Sequence, residues 1–259
     1  NSANGKPRRE NGFPVKELRT IIVTGASSGV GAYCARALKA EGWRVFATAR
    51  KTKDIEALEA DGIEAFQLDY CEPQSIEALV AAVLERTGGR LDALYNNGAY
   101  AQAGAVEDMP VDILRKQFEA NFFGWHDLTR RVLPAMRRQG HGRIVHCSSI
   151  LGLMPLPYRG AYCASKYALE GLMLSLRQEL IDTDIHVSLI EPGPVASNLH
   201  ENGLPLFLNS IDHKNSAHRE VYRRQMGRMR PGSGHARAKA GPEVVYAALK
   251  HALLSRRPR

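Results

Sequence analysis

The chain has little of what marks several large protein classes. Its 259 residues include only four cysteines, Cys34, Cys71, Cys147 and Cys163, without the paired spacings of a disulfide framework or a zinc site. They are read as reduced structural residues, and no metal is expected. No apolar run approaches the roughly 18 residues that a membrane helix needs. The opening stretch NSANGKPRRENGFPVKELRT lacks the apolar core of a secretory signal. A cytoplasmic protein without membrane association is therefore expected. Internal repeats, low-complexity tracts and the motifs of nucleic-acid readers are also missing, so no nucleic-acid partner is expected.

What is present is a 44% hydrophobic chain long enough to bury one α/β-sized core. The net charge of +8 is uneven. Residues 1–20 hold five basic and two acidic side chains, and residues 200–239 hold eight basic and three acidic ones. These stretches are read as solvated flanks with some attraction for an anionic cofactor. Short β-rich runs at 20–25, 44–49, 63–68, 91–96, 142–149 and 185–192 alternate with segments whose apolar residues recur at helical spacing. Among the helical segments is one unbroken stretch, PVDILRKQFEANFFGWHDLTRRVLPAMRRQ. Such alternation predicts βαβ units and a parallel sheet. Residues 1–19 read as a basic N-terminal extension and 20–259 as a single domain. Residues 198–240 break the rhythm with Asn, Gly, Pro and basic residues around the cluster LPLFL. An insertion of this length is either a functional lid or disordered. His200, His213 and His218 within it show no partner pattern and are read as surface residues. His146 is read as a satisfied core histidine.

Three stretches carry chemistry. The first strand runs into TGASSGVG (24–31) and then a helix, the order needed for glycines to turn tightly beneath a pyrophosphate held at a helix N-terminus. The second strand ends in Ala49-Arg50-Lys51, with positive charge where an NAD site has a carboxylate for the ribose 2′-hydroxyl. Arg50 offers a planar fork for a 2′-phosphate, so NADP(H) is expected ahead of NAD(H). In AYCASKYALEGL (161–172), Tyr162 and Lys166 stand four residues apart, one helical turn. That spacing suits either a surface pair or an acid beside the cation that tunes it.

Together TGASSGVG, Asp69, Asn-Asn-Gly-Ala at 96–99, Asn121 in EANFFG, Ser149 in HCSSILG, YCASK and EPGPVAS resemble the short-chain dehydrogenase/reductase (SDR) family from about residue 20 to 254. The stretch from Leu151 to Leu180 looks most like its steroid- and retinoid-converting branch. The resemblance implies an α/β fold, a doubly wound parallel sheet of Rossmann type, and a tetrad of Asn121, Ser149, Tyr162 and Lys166. Tyr162 would be the acid, or the base in the oxidative direction, with its pKa depressed by Lys166. Ser149 would bond the substrate oxygen, and Asn121 would hold a relay water. Cofactor contacts would come from Thr24, Gly25, Ser27, Ser28, Gly29, Val30, Gly31, Arg50, Lys51, Tyr162 and Lys166. Asp69 would meet the adenine amino group, and Asn97 and Gly98 the adenosine side. Pro192, Gly193, Val195 and Ser197 would cradle the nicotinamide. The usual Asn-Asn-Ala-Gly reads Asn-Asn-Gly-Ala here, and the usual threonine after the Pro-Gly motif is Ser197. The family's seventh strand has no counterpart between the last helix and Arg259, so either the natural chain continues or that edge is missing.

Apolar residues between Ser149 and Tyr162, with others from the insertion, suggest a greasy pocket lined by Leu151, Met154, Tyr158, Leu204 and Phe207. The expected activity is NADPH-dependent interconversion of a carbonyl and an alcohol on a hydrophobic ketone, aldehyde or alcohol, by a homodimer or homotetramer. An acidic or acyl ketone substrate and a non-catalytic NADP(H)-sensing protein are the alternatives.

Overall fold

A computed structural model describes residues 9–10, 13–14, 18–196, 199–229 and 240–258. Ser197 and most of the basic N-terminal extension lie outside the described residues. So do Asn198 and residues 230–239 of the expected lid, and nothing is described of the His200 side chain.

Two short strands, β1 (Arg9–Glu10) and β2 (Phe13–Pro14), pair antiparallel. The main sheet follows with β3 (Thr20–Val23), β4 (Arg44–Ala49), β5 (Glu64–Gln67), β6 (Ala93–Asn96), β7 (Gly142–Cys147) and β8 (Ile185–Ile190). All six are parallel, in the order β5-β4-β3-β6-β7-β8. Central strands such as TIIV are buried along their whole length, as expected of a sheet covered on both faces. The chain winds outward from β3 to β5, then crosses back to β6. That reversal opens a crevice at the carboxyl ends of β3 and β6, where doubly wound sheets bind ligands.

Helices α1 (Gly29–Ala40) and α9 (Glu243–Leu254) cover one face, and α2 (Thr52–Ala60) connects β4 to β5. Helix α3 (Pro73–Arg86) packs on the other face with α5 (Gly124–Gln139) and α6 (Gly160–Glu179). Trp125, Leu128, Val132, Leu169 and Met173 fill the layer between these helices and the sheet, close to the side chains of the expected site.

Three differences from the expected elements have physical causes. Helix α2 follows no strong apolar pattern, and of its nine residues only Leu58 is buried. The expected helix over 110–139 is interrupted: α4 (Val111–Phe118) passes into a π-helical turn, Glu119–Phe123, before α5. Such turns insert a residue and re-aim side chains, and this one contains Asn121. The segment after β8 holds two helices, α7 (Leu199–Ser210) and α8 (Arg219–Met229). A separate small cluster of Ala103, Ala105, Phe207, Ile211 and Tyr222 packs them against the loop after β6.

Candidate active site

The glycine loop is built by close approach of backbones. Gly25 has a positive φ of 63°, and a Cβ there would lie 2.4 Å from the Cα of Gly98. A Cβ on Gly31 would lie 2.3 Å from the Gly25 carbonyl oxygen. Thr24 Oγ1 accepts from the amides of Asn97 (2.8 Å) and Gly98 (3.2 Å), and Asn97 Nδ2 donates to the Thr24 carbonyl (3.1 Å). The ends of β3 and β6 are thereby locked side by side, with Asn97 acting as the clamp. Above the lock, Ser27, Ser28, Gly29 and Val30 lead into α1. The Ser28 side chain makes no capping bond and no acidic residue sits in the first turn, so the helix N-terminus is open to an anion. A cavity of about 680 Å³ lined by Ser27, Ser28, Gly29, Tyr33, Arg36 and Pro242 adjoins this loop. These residues fit a dinucleotide, because the glycines leave backbone where any side chain would collide.

The end of β4 presents Arg50 and Lys51, both exposed, with Lys51 at the N-cap of α2. The Arg50 charge lies near enough to favour ionisation of the Cys71 and Tyr100 side chains. Asp69 Oδ1 accepts from the Cys71 amide at 3.0 Å. On the far side, the Pro192 carbonyl accepts from the Ile150 amide (3.1 Å), and Val195 bridges to Ala240. Gly193 and Val195 line a second cavity of about 370 Å³.

Ser149, Tyr162 and Lys166 gather at the carboxyl end of β7, and Asn121 stands on the π-helical turn that packs against α6. Tyr162 and Lys166 both face inward from α6, and the lysine has no solvent exposure at all. Lys166 Nζ donates to the Cys147 carbonyl at 2.9 Å and sits 4.1 Å above the centre of the Trp125 ring, a cation–π contact. The Tyr162 ring is 5.8 Å from the same ammonium. The Ser149 hydroxyl lies near enough to Tyr162 to favour the ionised phenol, and Ser149 Oγ accepts from the Leu151 amide at 3.1 Å. Asn121 grips the backbone of Tyr100, donating to its carbonyl at 2.8 Å and accepting from its amide at 3.2 Å. The amide expected to hold a water is thus also a fastener for the loop after β6.

Burial dominates the electrostatics of the Tyr162 and Lys166 pair. Burial pushes the Tyr162 phenol well above its usual value, opposed mainly by the neighbouring Ser149 hydroxyl. It pushes Lys166 down to about 8, with Cys147 and Glu170 acting in the opposite sense. His146 is pushed down to about 3 by burial and by the Lys166 charge. It stacks on Trp125, and its Nε2 has no partner among the described residues, so it is a neutral core residue but not a satisfied one.

The expected substrate-lining residues divide. Leu151 and Leu204 are half-buried, and Met154 is exposed together with Leu153 (61%) and Leu156. Phe207 is 2% exposed and belongs to the small cluster, packed on Tyr222 at 5.0 Å between ring centres. It is a packing residue, closed to a ligand here. Tyr158 has a positive φ of 63°, unusual for a bulky residue, and its hydroxyl meets His218 Nδ1 at 3.3 Å. His218 in turn bonds Glu107 (2.5 Å), so it is not the partnerless surface residue expected from sequence. Tyr222 donates to Asp108 (2.5 Å) and accepts from the Ala105 amide (2.8 Å). These anchors carry no sequence signal, because their partners lie 60 to 117 residues away.

Comparison with known proteins agrees with this geometry. The family model described as "short chain dehydrogenase" matches residues 19–204. The uncharacterized oxidoreductase YbbO of Escherichia coli (strain K12) is 37% identical over 241 residues, which cover 93% of this chain and 83% of that protein. Retinol dehydrogenase 8 of Homo sapiens is 38% identical over 189 residues, covering 69% of this chain and 60% of its own. A short-chain dehydrogenase structure from Streptomyces avermitilis superposes with a TM-score of 0.76 at 33% identity, covering 94% of this chain and 86% of that one.

Proposed function

This chain belongs to the short-chain dehydrogenase family, and from that premise we propose that it is an NADPH-dependent oxidoreductase interconverting a carbonyl and an alcohol on a hydrophobic substrate. The observation that carries the reading is the buried Tyr162 beside the Ser149 hydroxyl with Lys166 buried one turn on along the same helix, next to a glycine loop open to a dinucleotide.

The bound nicotinamide would supply the hydride to the carbonyl carbon, or accept it in the reverse direction. The chain supplies the rest. Burial keeps the Tyr162 phenol protonated at neutral pH, as a proton donor to a carbonyl oxygen must be. Ser149 Oγ accepts from Leu151, and its hydroxyl proton would turn toward the developing oxyanion when substrate binds. Lys166 spends one donor on the Cys147 carbonyl and retains two N–H groups for a ribose or the Tyr162 side. Arg50 and Lys51, with no carboxylate at the end of β4, support NADPH over NADH.

Exposed Leu153, Met154 and Leu156 between Ser149 and Tyr162 favour an apolar substrate, and the relative retinol dehydrogenase 8, named for an apolar alcohol, points the same way. Helices α7 and α8 would form a lid over it. The exposed Arg219, Arg223 and Arg224 on α8 support a second reading, a ketone that also carries an acidic group. Exposed Phe123, Tyr167 and Leu174 on the α4–α6 side would be covered in a homodimer or homotetramer. No helix among the described residues is long and apolar enough to cross a membrane.

The test is fluorescence titration with NADPH and NADH, followed by NADPH oxidation against a panel of hydrophobic and carboxylated ketones and aldehydes. NADPH preference with turnover that Tyr162→Phe abolishes supports the reading. Binding without any turnover would favour a cofactor sensor, and NADH preference would remove the role given to Arg50.

A further inference from the structure

Helix α6 continues past Lys166, and one turn on it buries a carboxylate. Glu170 is 7% exposed. Across from it stands Ser148, 4% exposed, the residue before Ser149. Ser148 Oγ and Glu170 Oε1 are both sealed from solvent, and neither reaches a partner at hydrogen-bonding geometry among the described residues. They converge on one point. A Cβ on Gly152 would lie 3.0 Å from Ser148 Oγ, 3.1 Å from Glu170 Cγ and 3.3 Å from Glu170 Oε1. Glycine at 152 therefore leaves the space into which both polar groups point. A buried carboxyl is costly unless something compensates it. The Ser148 hydroxyl is close enough to favour its ionised form, as are Lys166 and Arg177 on the same helix, while burial and Glu191 after β8 oppose ionisation. Lys166 in turn faces Glu170, the Cys147 thiol and the His146 ring.

We propose that Glu170 is a positioning residue for the tetrad. Packed with Ser148 around the space beside Gly152, it braces the loop that carries Ser149 against the helix that carries Tyr162 and Lys166, and it sets a negative charge one turn behind Lys166. Gly152 is the spacer that lets the two meet. The assignment rests on the oxidoreductase reading above for its kinetic consequence, and on packing alone for the Ser148–Glu170 tie.

Glu170→Gln keeps the shape and removes the charge. In NADPH oxidation with a ketone that the wild type reduces, kcat is expected to fall roughly tenfold while KM for NADPH holds. The alkaline limb of the kcat profile should move to lower pH, because Lys166 without its negative neighbour gives up its proton more readily. A residue that merely fills space would lower the whole profile without moving its limb. In parallel, thermal melts of Ser148→Ala, Glu170→Gln and the double variant should show Tm losses that do not add, the mark of a coupled pair. A limb that stays in place, or Tm losses that simply add, overturns the proposal. If Glu170→Gln does not fold, Ser148→Ala carries the kinetic arm: slowed turnover at unchanged NADPH affinity supports the tie, and wild-type turnover overturns it. A wild type that binds NADPH but turns nothing over defeats the oxidoreductase reading alone, and the melts of the three variants still decide the tie.

Discussion

The tetrad side of the molecule and the α7–α8 segment are held in different ways. Asn121 and Lys166 have no exposure, and Tyr162 very little. Behind them lies the continuous core of Trp125, Leu128, Leu169 and Met173. The α7–α8 segment is joined to the rest through a cluster of five buried residues and the polar anchors Glu107, Asp108, Tyr158, Ser216 and Tyr222. One region cannot shift without opening the main core. The other can loosen at the cost of a few bonds, which suits a lid. The proposed chemistry thus sits on rigid elements, and the part proposed to choose the substrate is separable from them.

That contrast can be broken most sharply at Tyr162. Tyr162→Phe is expected to lower kcat by about 10²- to 10⁴-fold while the melting temperature barely moves. Wild-type turnover in this variant would take the proton transfer away from Tyr162. Next comes Gly31→Ala, whose Cβ would meet the Gly25 carbonyl oxygen at 2.3 Å and Asn97 Nδ2 at 2.6 Å. Overpacking there should cost about 1–3 kcal/mol in urea unfolding and abolish tight nucleotide binding. An unchanged urea midpoint would show that the lock between β3 and β6 has slack.

Arg50→Ala should weaken NADPH by about 10- to 100-fold, as expected for the loss of a charge-assisted contact, and leave NADH nearly unaffected. Equal weakening of both would move the 2′-phosphate contact elsewhere.

Acid should act on the rigid side first. His146, pushed from 6.5 down to about 3, stays neutral in the folded protein while the unfolded chain takes up a proton. Stability is then present above about 6.5 and falls as pH drops toward 3, by about 1.4 kcal/mol per pH unit from this group. Urea midpoints of the wild type and of His146→Asn across that range should diverge, and parallel curves would refute the assignment.

The smallest effect belongs to the α7–α8 segment. Tyr222→Phe removes the hydroxyl between Asp108 and Ala105 and should cost about 1 kcal/mol. It should raise KM for bulky substrates with kcat for small ones unchanged. A drop in kcat across all substrates would tie the segment to the chemistry.

Much of the frame was legible in the chain. The runs from TIIVTG to IHVSLIEP become β3 to β8 with ends shifted by at most two residues, because apolar β-rich segments buried on both faces have few alternatives. Helix α2 was not legible, since TKDIEALEA shows only Ile55 and Leu58 to a core. The π turn at Asn121 was not legible either, because a single inserted residue leaves the apolar period on both sides intact. In the α7–α8 segment, Pro205 and the basic residues hid two helices whose packing partners lie far back in the chain.

The sequence by itself determined the parallel sheet, the glycine loop before α1, the positive charge at the end of β4 and the single turn separating Tyr162 from Lys166. Local pattern suffices for these, since each depends on neighbours a few residues away. Only the tertiary structure decided how that pair titrates. Trp125, the Cys147 carbonyl and Ser149 come from other elements to surround it. Removal from water moves a phenol up and an ammonium down whatever their spacing along the helix.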